Sequence, residues 1–182
     1  MRWKNIVRND GTGHIHILCG DGKGKTTSAV GQAVRAAGHG FTVFFVRFLK
    51  PDSPGGEALM LDGLPGIVIR SFGSGRFLAR ESISDDDRRL AGEGMSFIEY
   101  TASGHRAEMI VLDEIGAALE LGLVDEDRLI RVFDLGKDWL DFVLTGRSFP
   151  ERVIDRADLI TEMVNIRHPY DSGALSRKGI EY

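Results

Sequence analysis

The stretch CGDGKGKTTS, residues 19 to 28, alternates Gly20, Gly22 and Gly24 with charged residues and closes on Lys25, Thr26 and Thr27. Such a segment suits a polyanion. Glycines permit the tight and left-handed turns that aim backbone N–H groups inward, and a helix starting behind the loop adds partial positive charge. Lys25 stands where a lysine neutralises phosphate oxygens, Lys23 adds a second cation, and the Thr26 hydroxyl is placed to reach a magnesium ion. The general pattern G-x-x-x-x-G-K-[ST] has a glycine where this chain has Cys19, so one position mismatches. A second chemical element is the apolar run MIVL that ends in Asp113 and Glu114. Acids at the carboxyl end of a buried strand can bind magnesium directly or through water, or else cap the following helix. Arg147, in LTGR, also follows a buried-strand pattern. It can give a fixed fork of donors to phosphate or serve a surface salt bridge.

These residues need strands to carry them. HIHILC (14–19) alternates like a strand and runs into the glycine loop, and the segment from Lys25 to Ala37 sets Ala29, Val30, Ala33, Val34 and Ala37 on one helical face, with GHG (38–40) as its stop. FTVFFVRFL (41–49) is nearly continuous apolar chain, the pattern of a strand buried on both faces. A loop holding Pro51 and Pro54, a short helix and the strand GIVIRSF (66–72) follow, and Ser84 with Asp87 forms a capping box for a helix bearing Leu90, Met95, Phe97 and Ile98. MIVLDEIG (109–116), DFVLTG (141–146) and LITEMVNI (159–166) read as three more strands. Strands alternating with helices predict an α/β fold, a parallel sheet flanked by helices, with ligands at the carboxyl ends of the strands.

The chain has 182 residues, the size of one domain, spanning 1–182 with a polar lead-in over 1–13. A formal charge of −4 gives no basic footprint for nucleic acid. No apolar run resembles a signal peptide or membrane span, and the single cysteine, Cys19, cannot pair internally, which predicts a cytoplasmic protein and a packed thiol. His14 and His16 share a strand face with no third ligand near in sequence, so two edge-strand histidines are expected. The run Asp85-Asp86-Asp87 reads as a solvated helix start. The residues by themselves reach a magnesium–nucleoside triphosphate site on an α/β domain.

Several stretches resemble the ATP:corrinoid adenosyltransferase family, the enzymes that adenosylate cobalamin and its precursors. They are GDGKGKTTSAVGQAVRAAGHGFTVFFVRFLK (20–50), VLDEIGAALELGLVD (111–125), LTGRSFPE (144–151), and ADLITEM with RHPYDSGALSRKGIEY towards the C-terminus. The loop form G-x-G-K-G-K-T-T without the first glycine is typical of that family, and HPYDSG and KGIEY serve no requirement of phosphate binding. The resemblance implies a P-loop NTPase (RecA-like) fold and transfer of the 5′-deoxyadenosyl group of ATP to the Co(I) of a reduced corrinoid, with triphosphate as leaving group. It further implies that Gly20, Asp21, Gly22, Lys23, Gly24, Lys25, Thr26, Thr27 and Arg147 hold the phosphates, Lys25 and Arg147 being catalytic. Magnesium would lie on Thr26 and Glu114 with Asp113 nearby. In the family ATP lies in the loop in reverse of the usual direction, and losing the first glycine is expected to reshape the turn around the repositioned phosphates. A homodimer with corrinoid near the subunit contact makes Phe48 and Lys50 candidate corrinoid contacts.

One family feature is missing. Where many members carry G-F-T-W, whose aromatics help make the cobalt reducible, this chain reads GSGRFLARE (73–81), leaving Phe77 and Leu78 as candidate corrinoid contacts beside a charged Arg76. A Co(II) reductant is implied as a partner. Two other readings stand: a kinase or NTPase cleaving the γ-phosphate, for which Gly24-Lys25-Thr26 and VLDE serve equally well, and a non-catalytic nucleotide- or corrinoid-binding protein.

Overall fold

The computed structural model of the protein describes residues 13–52, 55–76, 78–168, 173, 175 and 177–180. Phe77, Pro54, most of the lead-in and much of HPYDSG and KGIEY lie outside the described residues. The elements run β1 (Ile15–Cys19), α1 (Lys25–Gly38), β2 (Val43–Phe48), α2 (Gly56–Asp62), β3 (Ile67–Phe72), a 3-10 turn (Arg80–Ser82), α3 (Asp85–Ser103), β4 (Met109–Asp113), α4 (Ile115–Glu120), α5 (Glu126–Gly136), β5 (Asp141–Thr145), α6 (Glu151–Ile154) and β6 (Leu159–Glu162). The strands form one sheet in the order β3-β2-β4-β5-β1-β6, and every pairing is parallel. This is the α/β arrangement expected of a P-loop NTPase-like fold.

Period-two alternation sorts the strand residues to the two faces. Val43, Phe45, Met109, Val111 and Val143 pack with Ala29, Ala33 and Ala36 of α1 and Leu61 of α2. Val46, Phe48, Ile110, Leu112, Phe142 and Leu144 meet Met95 and Ile98 of α3, Ile115 of α4 and Leu129, Val132 and Phe133 of α5 on the other face. Large side chains such as Phe45, Phe133 and Phe142, almost wholly covered, each stabilise the fold by about 1.5–3 kcal/mol. Small alanines on α1 let that helix lie close to the strands that carry the loop.

Several expectations need correction. The buried stripe of α1 runs through Ala29, Ala33 and Ala36, while Val34 faces solvent at 43% exposure. β4 stops at Asp113 because Glu114 adopts a left-handed conformation (φ 62) and begins α4. The last strand covers only Leu159–Glu162 and is exposed along its length. β1 lies between β5 and β6, so His16 is on an inner strand, where its Nε2 meets the Thr161 hydroxyl at 3.1 Å. α5 was not read from sequence, although Leu129, Val132, Phe133 and Gly136 recur at helical spacing behind the cap Asp125. The capping box of α3 is present, with the Asp87 N–H donating to Ser84 Oγ and Asp87 Oδ2 accepting from the Ser84 N–H. Asp87 itself is buried, not solvated.

Candidate functional site

Cys19 is still strand: it pairs with Glu162 of β6, and its carbonyl accepts the Met163 N–H at 2.8 Å. The left-handed turn falls on Gly20 (φ 94), whose N–H donates to the Arg147 carbonyl at 2.9 Å. A Cβ on Gly20 would lie 2.4 Å from the Met163 carbonyl oxygen, so the chain after β6 fixes a glycine here by close approach as well as by conformation. At the mismatched position 19 the chain therefore still pairs as strand. Burial, and secondarily the Glu162 carboxylate, raise the Cys19 thiol above its usual range.

The loop ends at Gly24, which starts α1 without any side-chain cap. The first turn of α1 thus takes no capping oxygen from Gly24, and its residues Lys25, Thr26 and Thr27 line the cleft. Lys25 lies back across the loop, its Nζ donating to the carbonyls of Gly20 at 2.6 Å and Gly22 at 2.8 Å. The Lys23 Nζ donates to the Ile180 carbonyl at 2.6 Å. Loop residues 22–27 form one wall of a cleft of about 530 Å³, and Lys50, Glu57, Glu114 and Ile180 stand among its other lining residues.

Behind this wall the ends of three neighbouring strands meet on Asp113, which is wholly buried. Its Oδ1 accepts the hydroxyls of Thr26 and Thr145, both at 2.8 Å, and its Oδ2 accepts Lys50 Nζ at 2.7 Å. The Thr145 Oγ1 in turn accepts the Glu114 N–H at 2.8 Å, which holds the left-handed turn that aims Glu114 at the cleft. Burial, then the neighbouring Asp113, push the Glu114 carboxyl above the ordinary range against the pull of Lys50, Lys25 and Arg147. A raised carboxyl facing a cationic cleft is poised to gain from a bound cation.

The candidates therefore divide. Gly22, Lys23, Gly24, Lys25, Thr26, Thr27, Lys50 and Glu114 line one cleft. Gly20 and Asp21 form the approach to the loop, and the exposed Arg147 lies close enough to act on Glu114. Asp113 is engaged on both oxygens, by Thr26 and Thr145 on one and Lys50 on the other. Phe48 is covered completely and packs in the core, so its side chain is a core residue and not a corrinoid contact. Lys50 donates to Asp113 and lines the cleft. Leu78 is half-buried and outside the lining of this cleft. The charge of Arg76 is met by Asp87 at 2.7 Å, and Ser74 donates to the same carboxylate at 2.8 Å, so the divergent 73–81 segment is anchored to the start of α3. Thr145 was missed: a threonine ending an apolar run gives no sign of its neighbour until the register sets β5 beside β4. Among the described residues no group of three or more His, Cys, Asp or Glu could hold a metal ion, and no helix is long and apolar enough to cross a membrane.

Sheet, loop and strand-end acid together define a phosphate-loop α/β protein. Comparison with known proteins is more specific. The family model described as ATP:corrinoid adenosyltransferase BtuR/CobO/CobP matches residues 11–182. The chain belongs to that family, whose members use ATP and a corrinoid. It is 31% identical to a corrinoid adenosyltransferase of Sinorhizobium sp, over 97% of this chain and 83% of that protein, and 29% identical to one of Pseudomonas aeruginosa, over 95% and 85%. It is also 33% identical to the uncharacterized protein all2391 of Nostoc sp., over 87% of this chain but only 45% of that longer protein.

Proposed function

We propose that this chain transfers the 5′-deoxyadenosyl group of ATP to the Co(I) of a reduced corrinoid. The observation that carries the reading is the family match across residues 11–182, in a chain whose G-x-G-K-G-K-T-T loop lines a cleft at the strand ends. The cobalt electron pair forms the bond to C5′, the C5′–O5′ bond breaks, and its pair leaves on inorganic triphosphate. The nucleophile belongs to the substrate, so the protein needs no general base. Its share is positioning and neutralisation of the leaving group.

In this reading the loop amides, Lys25 and Arg147 hold the phosphates. The Thr26 hydroxyl and the Glu114 carboxylate would hold a magnesium ion, few protein ligands being usual for that ion at a phosphate site. Bound there, magnesium would supply charge neutralisation on the triphosphate. Asp113 holds Thr26 from behind, its hydroxyl donating to the carboxylate and keeping lone pairs for the cation. Leu78, and Phe77 beside it, are the corrinoid contacts this reading keeps. The chain works as one domain, as a cytoplasmic homodimer supplied by a Co(II) reductant; the resemblance and the lone cysteine support these points.

The test is product analysis after anaerobic incubation with magnesium-ATP, with and without a chemically reduced Co(I) corrinoid. Inorganic triphosphate appearing only with corrinoid, together with a light-sensitive alkylcobalt spectrum, is the expected result. ADP and orthophosphate formed regardless of corrinoid would instead make the chain a γ-phosphate-cleaving NTPase.

A further inference from the structure

Lys50 follows a non-glycine residue in a left-handed conformation, Leu49 (φ 61). Such backbone is uncommon for a branched apolar residue and persists only where the surroundings enforce it. Here they do. The Leu49 N–H donates to the Phe72 carbonyl at 3.2 Å, and Gly73 lies so close that a Cβ there would be 2.2 Å from the Leu49 carbonyl carbon. The bend turns the chain at the end of β2 so that Lys50 reaches sideways to Asp113, on the next strand, instead of extending into solvent.

The ammonium is then shared between two environments. One donor is spent on the wholly buried Asp113 at 2.7 Å, while the side chain keeps 27% exposure and lines the same cleft as Lys25 and Thr26. An ammonium has three donors, and Asp113 is the one hydrogen-bond partner of Lys50 Nζ among the described residues. Its charge balances a buried carboxylate, and its side chain lines the cleft with donors left over. We infer that Lys50 is a phosphate-positioning residue for the triphosphate leaving group, held in place by Asp113, and not a corrinoid contact. The inference rests on the nucleotide reading of the cleft given above. Lys25 and Lys50 then approach the phosphates from two sides, one from the loop and one from the end of β2, while Asp113 fixes both Lys50 and Thr26.

The experiment titrates inorganic triphosphate with magnesium into the full chain by calorimetry, using wild type, Lys50→Met, Lys50→Arg, Asp113→Asn and the Lys50→Met/Asp113→Asn double variant. Loss of a charge-assisted contact predicts triphosphate binding about ten- to hundredfold weaker in Lys50→Met, with most of it regained in Lys50→Arg. Lys50→Met strands a buried carboxylate and threatens the fold. The double variant removes that charge and is compared with Asp113→Asn alone, whose amide oxygen still accepts from Lys50 and keeps it in place, so the double variant binds more weakly than Asp113→Asn by a similar factor. Were Lys50 there only to neutralise Asp113, those two variants would bind alike, and that equality overturns the inference. Equal binding by wild type and a folded Lys50→Met overturns it too, leaving the nucleotide reading intact. Failure of wild type to bind triphosphate removes the nucleotide reading itself, and the inference with it.

Discussion

Thr145→Val isolates the network behind the cleft without opening a cavity, because valine has nearly the shape of threonine. Thr145 is 1% exposed, and its hydroxyl joins two groups: it donates to Asp113 Oδ1 and accepts from the Glu114 N–H, each at 2.8 Å. The first bond is charge-assisted and contributes about 1.5–3 kcal/mol. Losing the second forfeits about 0.5–1.5 kcal/mol, rising towards 3 if the N–H stays buried without a partner. Thr26 and Lys50 still hold Asp113, so the carboxylate keeps two of its three partners. The expected destabilisation is about 2–4 kcal/mol.

For a chain of this size, with a urea slope towards the upper end of about 1–3 kcal/mol/M, the unfolding midpoint falls by about 1 M while the slope is unchanged. Urea titration followed by both circular dichroism and tryptophan fluorescence reads it. Thr145→Ser keeps both hydrogen bonds, loses one methyl group and falls by only about 1 kcal/mol. The same valine variant frees the left-handed turn at Glu114, so its magnesium-ATP affinity drops more than that of the serine variant. A valine variant whose midpoint lies within about 0.2 M of wild type would refute the claim that Thr145 ties these two acids together.

Two other carboxylates make pH-resolved predictions. Burial raises the folded Glu114 carboxyl above its ordinary 4.5, so its ionised form costs stability as pH rises through the folded value. Glu114→Gln is therefore expected to be more stable than wild type at neutral pH, with the difference vanishing as pH falls below the ordinary value, yet to lose magnesium-dependent ATP binding; urea midpoints across pH and calorimetry with and without magnesium check the two halves. Asp87 is the opposite case: its hydrogen bonds to Ser84, aided by Ser74 and Arg76, bring the carboxyl from 3.8 down to about 2. Its stabilisation is present above the ordinary carboxylate range and is lost as pH falls from about 4 through about 2. Asp87→Asn should thus be about 1–2 kcal/mol less stable at pH 7, with the gap to wild type closing over that acid window in parallel urea titrations.

The parts of the site read from sequence and the parts missed differ by whether they are local in the chain. The loop and the helix behind it are consecutive residues, so Gly20 through Thr27 could be found in a line. Asp113 and Glu114 were found as acids ending an apolar run, but their division of labour was not. It depends on Asp113 continuing the strand into the interior while Glu114 turns left-handed and reaches the cleft. The bond of Lys50 to Asp113 and the part of Thr145 were not read from sequence because both meet Asp113 only through the lateral order β2-β4-β5. That order sets side by side chain segments ending near residues 50, 113 and 145, and no spacing within one segment encodes it.

Cys19 illustrates the same division. Read along the chain, it is a missing glycine; in the sheet it is the last paired residue of β1, beside Glu162. β6 ends at that pair, and the next residue, Met163, gives its N–H to the Cys19 carbonyl and its own carbonyl to the Gly22 N–H at 2.7 Å. The left-handed turn falls on Gly20, and the stretch from there to the start of α1 is held between the chain after β6 on one side and the Arg147 carbonyl on the other. A loop braced from both flanks keeps its backbone in place before any polyanion arrives, so its positions were legible in the chain while its support was not.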